Sequence, residues 1–223
     1  MILIGITDIH GDAPAMETIS GVLAEADAVL VAGDVTQFGD GKDAARIVDP
    51  LRKRASRVLA VPGNCDRPAV GAWLADQGLS LDARVVTEGD VCFAGVGGSL
   101  PCPVRTPNEI EEEDFTRALE EAATARPPGL PLVLVSHQPP FGVKNDLAGG
   151  SRHVGSRALR SFIERHEPLV CLTGHIHEAV GIDRIGKTVV VNPGPLRGGG
   201  FARIEIREDA AEVEIRNRNE AGR

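Results

Sequence analysis

The sequence predicts an α/β protein in which two β layers carry helices on their outer faces. Three observations support this fold class. Apolar, strand-like runs alternate with helix-like segments through the first two-thirds of the 223 residues. From Arg84 the pattern changes to neighbouring strands typical of an antiparallel pair. The C-terminal third ends in short β segments separated by glycine-rich turns, and no linker or internal repeat interrupts the pattern.

The N-terminal part predicts a β-α-β-α-β unit, whose strands run parallel because a helical crossover returns the chain. Asp12 is placed to cap the first helix, and Pro14 lies in its first turn. The elements are, in order, a strand at 2–7 (ILIGIT), a helix at 13–26, a strand at 28–33 (AVLVAG), a helix at 42–54 and a strand at 57–63 (RVLAVPG).

The remaining elements continue the alternation and end in β structure. They are paired strands at 84–89 and 91–98, an acidic amphipathic helix at 109–124, a strand at 130–137 (LPLVLVSH), a helix at 156–166, a strand at 169–175 (LVCLTGH) and the segments KTVVVNPG, FARIEIRE and AEVEIRN. We expect one domain over residues 1–217 and a frayed tail at 218–223.

Charge and composition limit the kinds of molecule that the protein is expected to bind. The chain has 24 Lys and Arg against 32 Asp and Glu, a net charge of −8, which argues against a nucleic-acid polymer. A small phosphorylated substrate stays compatible, because a bound metal reverses the local field. No signal or membrane segment is evident, and the four cysteines form no CxxC pair. We therefore expect a cytoplasmic protein with reduced thiols and no membrane partner; a homo-oligomer is left open.

The residues that carry chemistry follow the predicted strands. Because ligands gather at the carboxyl ends of strands in α/β sheets, these side chains are expected to converge. The seven candidates are Asp8, His10, Asp34, Asn64, His137, His175 and His177. The i, i+2 spacing within DIH and HIH points both side chains of each pair to one side.

Taken one at a time, these motifs have ordinary explanations: a capping pair, turn chemistry or a hydrogen-bonded loop histidine. Together, three Asp/Asn oxygens and four imidazoles suit a divalent transition metal such as Mn, Fe, Zn, Ni or Co. Seven ligands exceed one tetrahedral zinc and suit two ions that share a carboxylate.

The order of these blocks resembles that of the calcineurin-like metallophosphoesterases. The blocks are DIH at 8–10, GD at 33–34, GNCD at 63–66, SH at 136–137 and GHIH at 174–177. The stretches SHQPPFG and VNPGP resemble the Icc-related predicted phosphoesterases within that family. The resemblance implies a four-layer αββα sandwich of two mixed sheets flanked by helices.

It also implies how two ions are held, with manganese the preferred metal. One ion would be held by Asp8, His10, Asp34 and His177, and the other by Asp34, Asn64, His137 and His175. Asp34 would be the bridge. A hydroxide held between the ions would attack phosphorus in line, so Asp34, Asn64, His137 and His175 are the expected catalytic residues.

The GNCD block departs from the version found in many relatives, which have a histidine where this chain has Cys65. That histidine assists the leaving group or binds phosphate, so its absence favours a phosphodiester over a small phosphomonoester. We interpret Cys65 as a bystander and Asp66 as a carboxylate that orients a neighbouring ligand or loop.

Several assignments stay open. The loop FGVKNDLAGGSRHVGS could be a substrate loop that uses Asp146 and His153, or a solvated surface loop. Asn192 could be a ligand or could tie a loop beside the GHIH turn. Two other functions also fit the fold: a non-catalytic protein-interaction module and a pyrophosphatase acting on nucleotide anhydrides.

Overall fold

The computed structural model describes residues 1–217, so the predicted frayed tail at 218–223 lies outside the described residues. The helices are α1 (Ala13–Glu17), α2 (Ser20–Leu23), α3 (Gly41–Arg52), α4 (Pro68–Asp76), α5 (Glu112–Ala125) and α6 (Arg157–His166). The strands are β1 (Ile2–Ile6), β2 (Ala28–Ala32), β3 (Val58–Val61), β4 (Arg84–Glu88), β5 (Val91–Val96), β6 (Leu132–Ser136), β7 (Leu147–Ala148), β8 (Arg152–His153), β9 (Val170–Leu172), β10 (Gly181–Ile185), β11 (Thr188–Asn192), β12 (Gly200–Arg207) and β13 (Ala210–Asn217).

The long strands form two mixed sheets. The first has five strands in the order β13-β12-β1-β2-β3, in which β1, β2 and β3 run parallel and β12 and β13 are antiparallel neighbours. The second has six strands in the order β10-β11-β9-β6-β5-β4, with four parallel inner strands and an antiparallel strand at each edge.

Side-chain alternation along the strands builds the layers. In β1, Leu3 packs into the core between the sheets, whereas Ile4 packs under the helices. Phe93 of β5 lies in the same inter-sheet core, and Phe115 of α5 packs on the outer face of the second sheet. Helices α1 to α4 thus cover the first sheet, and α5 and α6 cover the second. The predicted four-layer αββα sandwich is confirmed.

The helix predicted at 13–26 is broken in two. Asp12 caps α1 as expected, its carboxylate accepting from the Ala15 N–H at 3.1 Å. The Thr18 hydroxyl then donates to the Ala15 carbonyl at 2.6 Å, and the β-branched Ile19 follows with ψ near 6°. A hydroxyl that bonds the preceding turn competes with the backbone helix ladder, which explains the break.

Helix α4 and strand β10 were absent from the sequence prediction. Helix α4 begins with Pro68 in its first turn, where a proline costs no hydrogen bond. Gly71, which disfavours helix, interrupts the apolar pattern from which the helix could have been predicted. None of the described helices has the length and apolar composition needed to cross a membrane.

Candidate metal centre

The predicted ligands lie where the carboxyl ends of the two sheets meet. β1, β2 and β3 of the first sheet lead into the loops with Asp8 and His10, Asp34, and Asn64. β6 and β9 of the second sheet lead into the loops with His137, and with His175 and His177. The parallel inner strands point these loops to one end of the sandwich, so the topology alone brings residues 8 to 177 together.

The backbone at these ligands is strained. Asp8, His10, Asp34 and His175 have positive φ angles of 51°, 50°, 49° and 68°. Eight non-glycine residues adopt positive φ in the described part of the chain, and half of them are proposed ligands. Such conformations cost about 1–3 kcal/mol each and concentrate at functional sites. The surrounding loops therefore hold these four side chains against a local backbone preference.

Glycines let the ligand loops approach one another. A Cβ atom added to Gly174 would lie 2.6 Å from the Asp8 carboxylate, and one added to Gly33 would lie 2.5 Å from Nδ1 of the His137 ring. Real Cβ atoms do not reach such distances. The glycine in each of the GD and GHIH blocks is thus required by close packing between loops.

The first group of ligand atoms is Asp8, His10 and His177. The Nε2 of His177 lies 3.1 Å from Asp8 Oδ1 and 3.2 Å from the Nε2 of His10, and His10 Nε2 is 3.8 Å from Asp8 Oδ1. Ligands about 2.0–2.2 Å from one ion lie about 3–4 Å apart, depending on the angle between them, so these three atoms have the spacing of ligands to a common cation.

The second group surrounds Asp34 and His137. His137 Nε2 lies 3.5 Å from Asp34 Oδ2 and 2.8 Å from Asn64 Oδ1, while its Nδ1 is 2.8 Å from the Ala32 carbonyl. A neutral imidazole with its proton on Nδ1 donates to Ala32 and presents a lone pair to the Asn64 oxygen. Two acceptors facing each other at this distance need a proton or a metal ion between them.

Electrostatics at the site favour positive charge. Burial of Asp8 would raise its pKa, but the contact with His177 and the charge of His137 lower that pKa to about 2. Burial would lower the pKa of His137, yet the Asp34 and Asp8 carboxylates raise it. Carboxylates and imidazole nitrogens that converge around shared points suit divalent transition metals, so the donor set fits such ions.

His175 contributes differently from the other six ligands. Its ring lies beside that of His137, with centroids 5.2 Å apart, and its backbone N–H donates to Asp8 Oδ2 at 3.1 Å. Its Nε2 lies 3.6 Å from the Sγ of Cys102. Burial, together with the neighbouring His137, lowers the pKa of His175 to about 3, so this imidazole is neutral and free to accept a cation.

Asp66 fastens two ligand loops together. Its fully buried carboxylate accepts from the N–H groups of Gly63, Val35 and Thr36 and from the Thr36 hydroxyl, at 2.7–3.1 Å. These donors flank Asp34 on one loop and Asn64 on the other. The Cys65 N–H also donates to Asp34 Oδ1 at 2.7 Å, which orients the central carboxylate.

The Cys65 sulfur lies within 4.8 Å of ligand atoms of His10 and Asp34. Burial, with the negative charge of Asp34, raises the pKa of this thiol far above its usual range, so the sulfur stays protonated and neutral. The sequence predicts that Cys65 is a bystander, and its position beside the predicted ligands makes that prediction worth testing.

A cavity of about 860 Å³ opens over the ligands. It is lined by the six ligands other than His137 and also by Gln37, Cys65, Cys102, Val104, Thr106 and Arg197. Sequence reasoning missed Cys102 and Arg197. Arg197 lies two residues after the VNPGP block, which is a usable signal, whereas nothing in the proline-rich loop marks Cys102.

Asp146, His153 and Asn192 do not join the ligands. Asp146 is buried and its Oδ1 pairs with His153 Nδ1 at 2.6 Å, outside the lining of the metal-site cavity. Asn192 donates to the Ile176 carbonyl and accepts from the Gly194 N–H, each at 2.9 Å. Both of its polar ends are used by backbone, so it ties the NPG turn to the GHIH turn.

Comparison with known proteins agrees with this geometry. The calcineurin-like phosphoesterase family model matches residues 1–179. The uncharacterized protein MJ1162 of Methanocaldococcus jannaschii is 37% identical over 202 residues, which cover 87% of this chain and 88% of the relative. Phosphodiesterase YfcE of Escherichia coli strain K12 is 35% identical over 74 residues, 30% of this chain and 40% of YfcE.

Among solved structures, TT1561 of Thermus thermophilus superposes with a TM-score of 0.77 at 20% identity, over 97% of this chain and 98% of that one. That likeness supports the fold. The family match spans all five ligand-bearing strand ends. The chain therefore belongs to the calcineurin-like phosphoesterase family and is a metal-dependent phosphoesterase.

Proposed function

We propose that this protein hydrolyses a phosphodiester, with small phosphomonoesters as weaker substrates, at a centre of two divalent metal ions. The observation that carries the proposal is the pair of ligand groups around Asp8 and Asp34. One group is Asp8, His10 and His177, and the other includes Asp34, Asn64 and His137. When bound, two such ions lower the pKa of water and neutralise charge on phosphoryl oxygens. Manganese is the preferred metal, with Fe, Zn, Ni and Co as alternatives.

The residues of the chain have distinct roles in this proposal. Asp34 lies between the two groups, with Oδ2 3.8 Å from His10 Nε2 and 3.5 Å from His137 Nε2, which is the position of a bridging carboxylate. The Ala32 carbonyl fixes the ring of His137 through Nδ1, so its Nε2 points at Asn64. Ligands whose orientation is fixed by hydrogen bonds to the backbone need little reorganisation during the reaction.

Two features support a diester. The metal-site cavity, at about 860 Å³, has room for organic groups on both sides of a phosphorus centre. Cys65 carries a neutral thiol where a cationic donor would assist a monoester leaving group. The phosphodiesterase name of the partial relative YfcE points the same way.

Hydrolysis of bis(p-nitrophenyl) phosphate, p-nitrophenyl phosphate and a nucleoside triphosphate, with and without added manganese, tests the proposal. We expect manganese-stimulated hydrolysis that is fastest on the diester. Asp34→Asn and His177→Ala should each reduce it by roughly 10³-fold, since each removes a ligand from the reacting centre. Asp209→Asn, in the exposed turn between β12 and β13, is the matched control and should retain wild-type activity.

Faster cleavage of the triphosphate would replace this proposal with a nucleotide-anhydride pyrophosphatase. No turnover of any substrate, with no bound metal, would favour a non-catalytic interaction module. The presence of all seven predicted ligands argues against that module. A site without catalytic function would have no chemical need for the strained backbone at Asp8, His10, Asp34 and His175.

A further inference from the structure

A second cavity lies beside the metal-site cavity. Its volume is about 330 Å³, and it shares Cys102 and His175 with the metal-site cavity. The two cavities therefore adjoin at a ligand histidine. We call this space the side cavity; its lining residues are Leu100, Pro101, Cys102, Pro103, Gln138, Ala148, Arg152, Val154, His175 and Ile176.

The walls of the side cavity are fixed by one buried glutamine. Gln138 is 1% exposed; its side-chain oxygen accepts from the Leu100 N–H at 3.1 Å and its nitrogen donates to the Val154 carbonyl at 2.8 Å. One wall belongs to the proline-rich loop and the other to the loop between β6 and α6. Because Gln138 ties both walls, the side cavity is formed before a ligand arrives.

The lining of the side cavity is mostly apolar, with one cation. Leu100, Ala148, Val154 and Ile176 present aliphatic surface, as do the two prolines. Arg152 is the single Lys or Arg of the lining, and within residues 1–217 no carboxylate lies in ion-pair range of it. By contrast, Arg197 in the metal-site cavity is paired with Asp12 at 3.3 Å.

We propose that the side cavity binds one organic arm of the phosphodiester, and that this arm is a compact apolar group of aryl size carrying an anionic or acceptor group toward Arg152. This inference rests on the proposed function, because a phosphodiester bound in the metal-site cavity could extend one of its substituents into the side cavity past His175, which lines both. An aliphatic cavity of about 150 Å³ already accommodates benzene, so an aryl ring fits the volume. A polar arm would lose hydration without gaining partners, except at Arg152.

Binding of non-hydrolysable phosphonates tests the proposal by calorimetry on manganese-loaded protein. Methylphosphonate, phenylphosphonate and (4-carboxyphenyl)phosphonate share the metal-binding group and differ only in the arm. We expect wild type to bind phenylphosphonate about tenfold tighter than methylphosphonate, because apolar surface is buried. The carboxyl derivative should bind tighter still.

Two variants probe the side cavity. Ala148→Trp fills it and should reduce the phenyl-to-methyl preference to about onefold while methylphosphonate binding is unchanged. Arg152→Ala changes an exposed side chain and should remove only the extra affinity for the carboxyl derivative. Ala125→Trp, at the exposed end of α5, is the control and should keep the full preference. If Ala148→Trp does not fold, Arg152→Ala still decides.

The outcomes separate this inference from the proposed function. A phenyl preference that survives Ala148→Trp, or a carboxyl effect that survives Arg152→Ala, overturns the side-cavity assignment even if the wild type hydrolyses bis(p-nitrophenyl) phosphate. If wild type neither binds methylphosphonate nor hydrolyses that diester, the proposed function fails and this inference fails with it.

Discussion

Two loops of this protein are organised by the same device, a buried aspartate that accepts four hydrogen bonds. Each oxygen of Asp66 takes two donors, Thr36 N and Oγ1 on one side and Val35 N and Gly63 N on the other. In the second loop, Asp146 Oδ1 takes Val143 N and His153 Nδ1, and its Oδ2 takes the N–H groups of Gly142 and Gly155.

The two loops differ in what the aspartate holds in place. Asp66 lies beneath the loops that carry Asp34 and Asn64, and burial together with the charge of Asp34 raises its pKa to about 6. Asp146 instead closes the loop that supplies Ala148 and Arg152 to the side cavity. The same arrangement therefore supports the two loops of predicted metal ligands at Asp66 and the wall of the side cavity at Asp146.

Asp66→Asn should have the larger consequence. One oxygen becomes an NH₂ group that faces two donors, and the loops carrying Asp34 and Asn64 lose their common anchor. We expect manganese affinity to fall by about 10–100-fold. The free energy of unfolding should fall by about 2 kcal/mol, from unsatisfied buried donors. Metal titration and denaturant unfolding measure the two effects. Unchanged metal affinity would show that Asp66 does not support the loops of Asp34 and Asn64.

Asp146→Asn makes the same chemical change in the other loop. We expect a similar loss of about 2 kcal/mol in the free energy of unfolding, again because buried donors lose their acceptor. Manganese affinity should stay within about twofold of wild type, because the donors to Asp146 lie at Gly142 and beyond and none of them is a predicted metal ligand or the neighbour of one. The phenyl preference in phosphonate binding should decline. A fall in metal affinity as large as that of Asp66→Asn would show that the two loops are not separable.

Cys65→Ala tests whether a residue between Asn64 and Asp66 contributes to chemistry. A proton donor to the leaving group contributes about 10²–10⁴-fold, and a thiol whose pKa burial and Asp34 raise far above its usual range is too weak an acid to do so. We therefore expect kcat/KM for bis(p-nitrophenyl) phosphate to change by less than about tenfold. A loss above that range would assign Cys65 a direct role at the centre.

Asp82 is a partly buried aspartate that accepts fewer hydrogen bonds than Asp66 and Asp146. Its carboxylate accepts one backbone N–H, that of Gly97, at 2.8 Å. Burial raises the pKa of Asp82. The folded protein thus holds this proton more tightly than the unfolded chain, and the associated stability is lost as pH rises through the folded pKa.

Asp82→Asn has no proton to lose. Its free energy of unfolding, relative to wild type, should therefore rise between about pH 4 and pH 7. Urea unfolding at both pH values measures this difference, with Asp209→Asn as the surface control. An equal difference at the two pH values would contradict the raised pKa.

The convergence of the seven predicted ligands could be foreseen from sequence, because each follows an apolar strand of a parallel sheet and sheet topology brings the carboxyl ends of those strands together. That these residues bind metal stays a prediction. The strain at Asp8 and Asp34 could not be predicted, since no local pattern marks a positive φ angle on a non-glycine residue. The break at Thr18 was missed for a related reason: the apolar period of the segment continues through it, and a single hydroxyl contact decides the outcome.

The side cavity was beyond sequence reasoning. Leu100, Ala148 and Ile176 lie on three segments far apart in the chain, and no sequence pattern links them. The loop with Asp146 and His153 was considered as a substrate loop, and its composition alone did not distinguish that role from a surface loop. In the structure Asp146 and His153 bind each other behind the wall of the side cavity. Contact between this loop and substrate therefore stays a prediction, with Ala148 and Arg152 as the residues to test.

Metal stoichiometry tests the central claim most directly. Wild type, Asp34→Asn and Asp146→Asn would be saturated with manganese, dialysed without chelator and analysed for metal by mass spectrometry. We expect about two ions per chain in wild type and in Asp146→Asn, and fewer in Asp34→Asn, because that substitution removes the carboxylate shared by both ligand groups. One ion or none in wild type, or full occupancy in Asp34→Asn, would contradict it.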